Sequence, residues 1–283
     1  MINRIKRHIN GVKRYYARDG FNGVVYYIKH RIYNRLIKPV IYADWLVMFN
    51  PERQMAKRFE HTIPTIDQRF VKMGNYFIYA DKTVLNAPSA NHISSSEKII
   101  YSLGVLSDTE FDEAVSSHFN CDVFLFDPSN IARDHLQKLN HPRFIFEQVG
   151  VWSETCEMTF SSPKYGGSPS MIIEYTGKTF THQCVDIKEI LEKHGHQQID
   201  IIKLDIEGAA LGVLNRLLEI EHYPTQIIAE FERPRTGEAA DYFQFYTDLI
   251  TLNNTLTALG YQIYRLPREK TKYYSIELIF VKC

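Results

Sequence analysis

Two carboxylates stand two residues apart in Lys203-Leu204-Asp205-Ile206-Glu207-Gly208-Ala209. The apolar run at 199–204 reads as a strand and the run at 209–220 as a helix, so both acids fall on a strand-to-helix turn. Carboxylates so placed can take a proton from an acceptor, orient a hydroxyl or an ammonium, or hold a divalent ion through oxygen. The alternative is that they do no chemistry and only complement the positive end of the following helix. A third acid, Asp127, ends the apolar run at 122–126 and lies 23 residues beyond Gly104, which follows the run at 98–103. A glycine after a first strand lets the backbone approach a ligand, and an acid about 20 residues further on can accept from ribose hydroxyls. Here too there is a plainer reading, in which Asp127 or Ser129 caps the helix at 129–139. Glu230, Glu232 and His182 are weaker candidates for a base, since a lone histidine is more often a surface residue.

These residues need a frame. From residue 97 onward, strand-like and helix-like patterns alternate: strands at 98–103, 122–127, 144–149, 199–204 and 226–231, helices at 108–115, 129–139, 187–194, 209–220 and 242–259. Asp108 is the expected N-cap of the first of these helices. Strands at 261–265 and 275–281 are placed to close the sheet as an antiparallel pair, and segments 156–160 and 171–175 to form an inserted hairpin about Tyr165-Gly166-Gly167. Such alternation predicts an α/β fold with a mostly parallel sheet covered on both faces. Before it, Phe70–Tyr79 predicts a hairpin turning at Gly74-Asn75. The division expected is a basic helical extension at 1–49, an irregular substrate-side segment with the hairpin at 50–96, and the main domain at 97–283.

Composition narrows the classes. With 45% hydrophobic and 23% charged residues the chain is ordinary globular material and not disordered. It has no apolar run long enough for a transmembrane helix, and its basic start lacks the apolar centre of a secretory signal. The four cysteines, Cys121, Cys156, Cys184 and Cys283, are scattered, which suits reduced thiols in a cytoplasmic protein and offers no zinc spacing. Zero net charge conceals an imbalance. Residues 1–40 hold ten Lys/Arg against Asp19 and sit at +9, leaving −9 on the rest. Tyr, Ile and Val interleave with those cations, the composition of a helix lying in a membrane interface. A helix packed on the domain with a solvated basic face is the other reading, and no nucleic-acid partner is expected.

Five segments together resemble the FkbM family of class I S-adenosylmethionine (SAM) dependent methyltransferases. They are Tyr101-Ser102-Leu103-Gly104-Val105, Phe111-Asp112, Phe124-Leu125-Phe126-Asp127-Pro128, Val149-Gly150-Val151-Trp152 and, most specifically, Ile199 through Ala209. The resemblance runs over roughly residues 97–282. It implies a Rossmann-like class I methyltransferase fold with a seven-stranded sheet and helices on both faces. It implies SAM as cofactor and O-methylation of a sugar, glycan or glycolipid hydroxyl in polysaccharide biosynthesis; no metal-ligating residues are singled out, and the thiols and basic arm point to the cytoplasm or the inner face of the membrane. By the same resemblance Gly104 lies under the carboxypropyl arm of SAM with Ser102 and Asp108 beside it. Asp127 and Pro128 meet the ribose, Val151 and Trp152 flank the adenine, and Asp205 and Glu207 line the methyl-transfer cleft as the candidate bases. The chain departs from the family at Tyr101-Ser102, where an acid often stands, in its single loop glycine, and at Glu230-Phe231-Glu232, where many members carry a histidine. Two other functions compete: a nicotinamide-dependent oxidoreductase, against which the missing glycines count, and a non-catalytic module that keeps the fold.

Overall fold

The computed structural model describes Val25, Ile28 and residues 51–80, 98–164, 168–234, 239–266 and 275–283. Most of the basic extension, the loop at 86–96 and Tyr165-Gly166-Gly167 therefore lie outside the described residues. Contacts divide the chain into two compact units, Met1–Lys57 and Arg58–Cys283. In chain order the elements are α1 (Pro51–His61), β1 (Phe70–Met73), β2 (Tyr76–Tyr79), β3 (Ile100–Leu103), α2 (Glu110–Phe119), β4 (Val123–Phe126), α3 (Asn130–Leu139), β5 (Phe144–Glu147) and β6 (Gly150–Trp152). There follow β7 (Cys156–Ser161), β8 (Thr179–Asp186), α4 (Ile187–His194), β9 (Ile201–Leu204), α5 (Ala210–Glu219), β10 (Gln226–Glu232), α6 (Ala239–Ala258), β11 (Tyr261–Arg265) and β12 (Ser275–Lys282).

The main sheet has seven strands in the order β11-β12-β10-β9-β3-β4-β5. Strands β10, β9, β3, β4 and β5 pair in parallel, and β12 runs antiparallel to both of its neighbours. This is a Rossmann-like α/β sheet of seven strands, as the resemblance implies. Every residue of β3, β4 and β9 is buried, as the interior strands of a doubly covered sheet require. From β3 the chain builds outward through β4 and β5, then returns to the other side with β9 and β10. The order therefore reverses between β3 and β9, and ligands in such sheets bind at that reversal, beyond the strand ends.

Sequence signals set the helix ends. The Ser129 hydroxyl accepts from Ala132 N–H and caps α3, while Asn120 and Asn140 close α2 and α3 in left-handed conformation. Asp108 is not the N-cap of α2. That place falls to Thr109, whose hydroxyl donates to Glu113, while Asp108 Oδ1 accepts from Glu110 N–H two residues on.

The hairpin expected at 156–175 is replaced by a different pairing. Strand β7 pairs with β8, and β8 also pairs in parallel with β6, giving a separate three-stranded sheet. Segment 171–175 forms no strand because its backbone donors go to serine hydroxyls. Ile172 N–H and Ile173 N–H donate to Ser170 Oγ, and Tyr175 N–H donates to Ser161 Oγ.

The hairpin β1–β2 packs into the same apolar cluster as Ile100, Val105, Phe111 and Ile228. Its turn sits against the first turn of α2: a Cβ at Gly74 (φ +56°) would collide with the backbone of Glu110. At the other end, Tyr79 N–H and C=O both bond to the side-chain amide of buried Gln226, at 2.9 Å each. The hairpin is thus held at both ends against the sheet.

Candidate active site

The strand reversal brings the loops after β3 and β9 into contact. Asp205 N–H donates to Leu103 C=O, and a Cβ at Gly104 (φ +82°) would strike the Asp205 carbonyl, so only glycine allows this approach. Lys203, 4% exposed, donates from Nζ to Gly104 C=O at 2.7 Å and lies 3.9 Å from Asp205 Oδ2. Asp127 closes the third side. Its Oδ2 accepts from Val105 N–H and Leu106 N–H at 2.9 and 2.8 Å, and its Oδ1 accepts from Ser129 N–H at 2.8 Å. Both loops also hold a non-glycine residue in left-handed conformation, Leu106 and Glu207, each at φ +49°. Such positions cost on the order of 1 kcal/mol each and tend to gather at functional sites.

Two cavities open at these loops. The smaller, 170 Å³, is walled by the apolar groups of Val105, Phe126, Val151, Phe160 and Met171 and rimmed by Asp108, Asp127, Asp205 and Glu207. Among the described residues no Lys or Arg lines it. The larger, 520 Å³, reaches to the β1–β2 hairpin and the start of β12 and mixes Lys72, Lys203 and Arg265 with Glu230, Glu277 and the ring of Tyr76. Gly104, Val105, Asp108 and Asp205 belong to both. Tyr76 donates its hydroxyl hydrogen to Asp205 Oδ2 at 2.6 Å.

Of the positions singled out for the cofactor, the smaller cavity gathers Gly104, Asp108, Asp127, Pro128, Val151 and Asp205, with Glu207 beside them. It leaves out two. Ser102 is fully buried in β3 and reaches neither cavity. Trp152 lines neither cavity because its indole is packed on α5, where a Cβ at Gly212 would come within 2.6 Å of the ring. Met171 and Phe160 stand on the apolar wall where Trp152 was expected. Strict alternation along β6 puts Val151 and Trp152 on opposite faces, so both could not flank one ligand. His182 lies on β8 and lines neither cavity.

Carboxylates behind the loops respond to burial. Glu232, whose Oε2 accepts from Gly208 N–H at 2.6 Å, is pushed well above the usual carboxylate range by desolvation first and then by Glu207, Glu230 and Asp205. Asp112, fully buried in α2, is raised by the same desolvation and pulled back by Lys203. The segment that failed to form a strand crosses the β9 loop instead, with Ser170 Oγ donating to Glu207 C=O at 2.6 Å. Ser168, Pro169 and Met171 thereby close the smaller cavity.

The profile of the Methyltransferase FkbM domain matches residues 119–263, half of the chain and the stretch holding Asp127, Asp205 and Glu207. The chain belongs to the FkbM methyltransferase family. A human relative from Homo sapiens, the probable methyltransferase-like protein 24, is 26% identical over 129 residues, covering 46% of this chain and 30% of that protein. The chain thus spans under a third of the length of that relative. Solved structures are more distant. The fibrillarin/Nop5p complex has a TM-score of 0.41 at 10% identity, covering 78% of this chain and 97% of that one. The METTL16 methyltransferase domain has a TM-score of 0.40 at 7% identity, covering 71% and 64%. Scores this low say nothing about the site.

Proposed function

We propose that the chain is a SAM-dependent O-methyltransferase, with the nucleoside of SAM in the smaller cavity and a sugar, glycan or glycolipid hydroxyl in the larger. The position of Asp205, which borders both cavities, carries this reading. The smaller cavity suits the donor chemically. Its apolar wall matches a purine, and a rim of four acids without a cation suits a sulfonium and an ammonium. The same rim would repel the pyrophosphate of a nicotinamide dinucleotide, and the single loop glycine offers it no close backbone cradle.

SAM, when bound, supplies a methyl group already activated by the positive sulfur. The residues of the chain then have two tasks, alignment and proton removal. Gly104 and Asp205 fix the two loops against each other. Asp127 holds the Val105, Leu106 and Ser129 amides and, with the one lone pair left on Oδ1, can still accept from a ribose hydroxyl. When the acceptor oxygen displaces the sulfur, as a neutral thioether, from the methyl carbon, the hydroxyl proton would pass to Asp205, or to Glu207 as the second candidate base. Tyr76 and Phe77, both half-buried, offer the larger cavity rings on which the apolar face of a sugar can lie.

Calorimetric titration with SAM and with NAD tests the donor, and transfer of a tritiated methyl group into extracted polysaccharide tests the acceptor. Asp205→Asn should cut turnover about 10²-fold or more while changing SAM affinity far less, as expected when a general base is removed. Full turnover in that variant would move the base to Glu207. The basic segment 1–40 is assigned to peripheral contact with an anionic membrane, on the strength of its +9 charge and interleaved aromatics.

A further inference from the structure

The mechanism above gives Tyr76 no task beyond forming a wall, yet its surroundings are built around its hydroxyl. Tyr76 opens β2, just beyond the Gly74-Asn75 turn. Its ring meets Phe111 of α2 edge-on at 5.5 Å between centroids, and the Lys203 ammonium lies 5.1 Å over its face. Gly74 seats the turn on α2 and Gln226 clamps the far end of β2, so the hydroxyl is presented by an anchored strand and not by a loop. An ionised carboxylate can only accept, so the phenol must donate in the 2.6 Å bond to Asp205 Oδ2. Burial, and after it the Asp205 charge, hold the Tyr76 phenol well above its ordinary range and so keep it a donor. Oδ2 is also the oxygen 3.9 Å from Lys203, whereas Oδ1 has no hydrogen bond among the described residues.

We propose that Tyr76 is a positioning residue for methyl transfer: its phenol pins Oδ2 of Asp205 and leaves Oδ1 for the acceptor hydroxyl. The terminal torsion of an aspartate is broad, so an unpinned carboxylate would sample many orientations. Misplacing a reacting group by about 1 Å can cost about 10²-fold in rate. Lys203 does not do this alone, because at 3.9 Å from Oδ2 it makes no hydrogen bond to it. The inference rests on reading Asp205 as the base, and it assigns a role to a residue that lies outside the stretch matched by the family profile.

The test is a double-mutant cycle on the full chain with Tyr76→Phe, Asp205→Asn and the pair, using tritiated-methyl SAM and extracted polysaccharide. Tyr76→Phe keeps the ring, and so its contacts with Phe111 and Lys203. It should lower kcat roughly 10–100-fold and leave KM and Kd for SAM within about threefold. Added to Asp205→Asn it should lower the residual rate by less than about threefold, because the group it positions is gone. Losses that multiply in the double variant, or a fully active Tyr76→Phe, overturn the proposal. Independently of turnover, the unmodified chain should show one slowly exchanging tyrosine hydroxyl proton in its NMR spectrum that vanishes in Tyr76→Phe, and its absence also overturns the proposal. If Asp205→Asn is itself fully active, the base assignment falls and this inference with it. If that variant is dead and Tyr76→Phe is fully active, only the positioning role falls.

Discussion

Asp127 was read as either a ribose ligand or a helix cap, and the geometry gives it a third occupation. Its two oxygens accept three backbone N–H groups, two from the loop after β3 and one at the start of α3. The helix cap itself is Ser129. Removing the carboxylate therefore strips partners from the amides beside it, and the loop after β3 loses its shape. Asp127→Ala should lower stability by about 2–4 kcal/mol and weaken SAM binding by about 1–3 kcal/mol. Urea denaturation and calorimetric titration measure the two separately. An unchanged unfolding midpoint would show that the three amides find other partners, and an unchanged SAM affinity would remove Asp127 from the cofactor site. Residue types alone marked Asp127, Asp205 and Glu207. They gave no hint of Tyr76, one of 18 tyrosines, because its partner lies 129 positions away in sequence.

Among the elements, the parallel strands were the most readable, since their buried apolar runs and the helical periodicity between them follow directly from burial on both sheet faces. The pairing of β7 was misread for a local reason. Ser161 and Ser170 draw backbone donors to their hydroxyls, which removes segment 171–175 from any ladder and leaves β8 as the partner. A cue was present in the alternating Thr179-Phe180-Thr181 pattern ahead of Cys184, which is strand-like. The junction of the β3 and β9 loops depends on one glycine. Gly104→Ala places a side chain against the Asp205 carbonyl at a positive φ, two independent sources of strain. We expect a loss of about 2–5 kcal/mol, read as a shift in the urea midpoint. A variant as stable as the parent would mean that the two loops do not meet as described.

At the scale of the whole chain the charge is divided, with +9 on residues 1–40 and −9 on the rest. An anionic surface would attract the first segment and repel the remainder. Each cation near such a surface contributes about 1 kcal/mol, screened by salt. Deletion of residues 1–40 should abolish co-sedimentation with phosphatidylserine vesicles while leaving SAM binding intact, and sedimentation that survives the deletion would exclude this segment as the tether. Among the described residues no helix is long and apolar enough to cross a membrane. The sequence by itself determined the α/β class, the family and the acids at the strand ends, because apolar periodicity and short strand-end motifs are local properties of the chain. Tertiary structure alone decided which of those residues share a cavity. It turned Trp152 onto α5, enclosed Ser102, brought Met171 to the wall of the smaller cavity and delivered Tyr76 to Asp205. Those outcomes depend on side-chain direction and on contacts between distant segments, which follow from close packing in three dimensions and not from the order of residues along one strand.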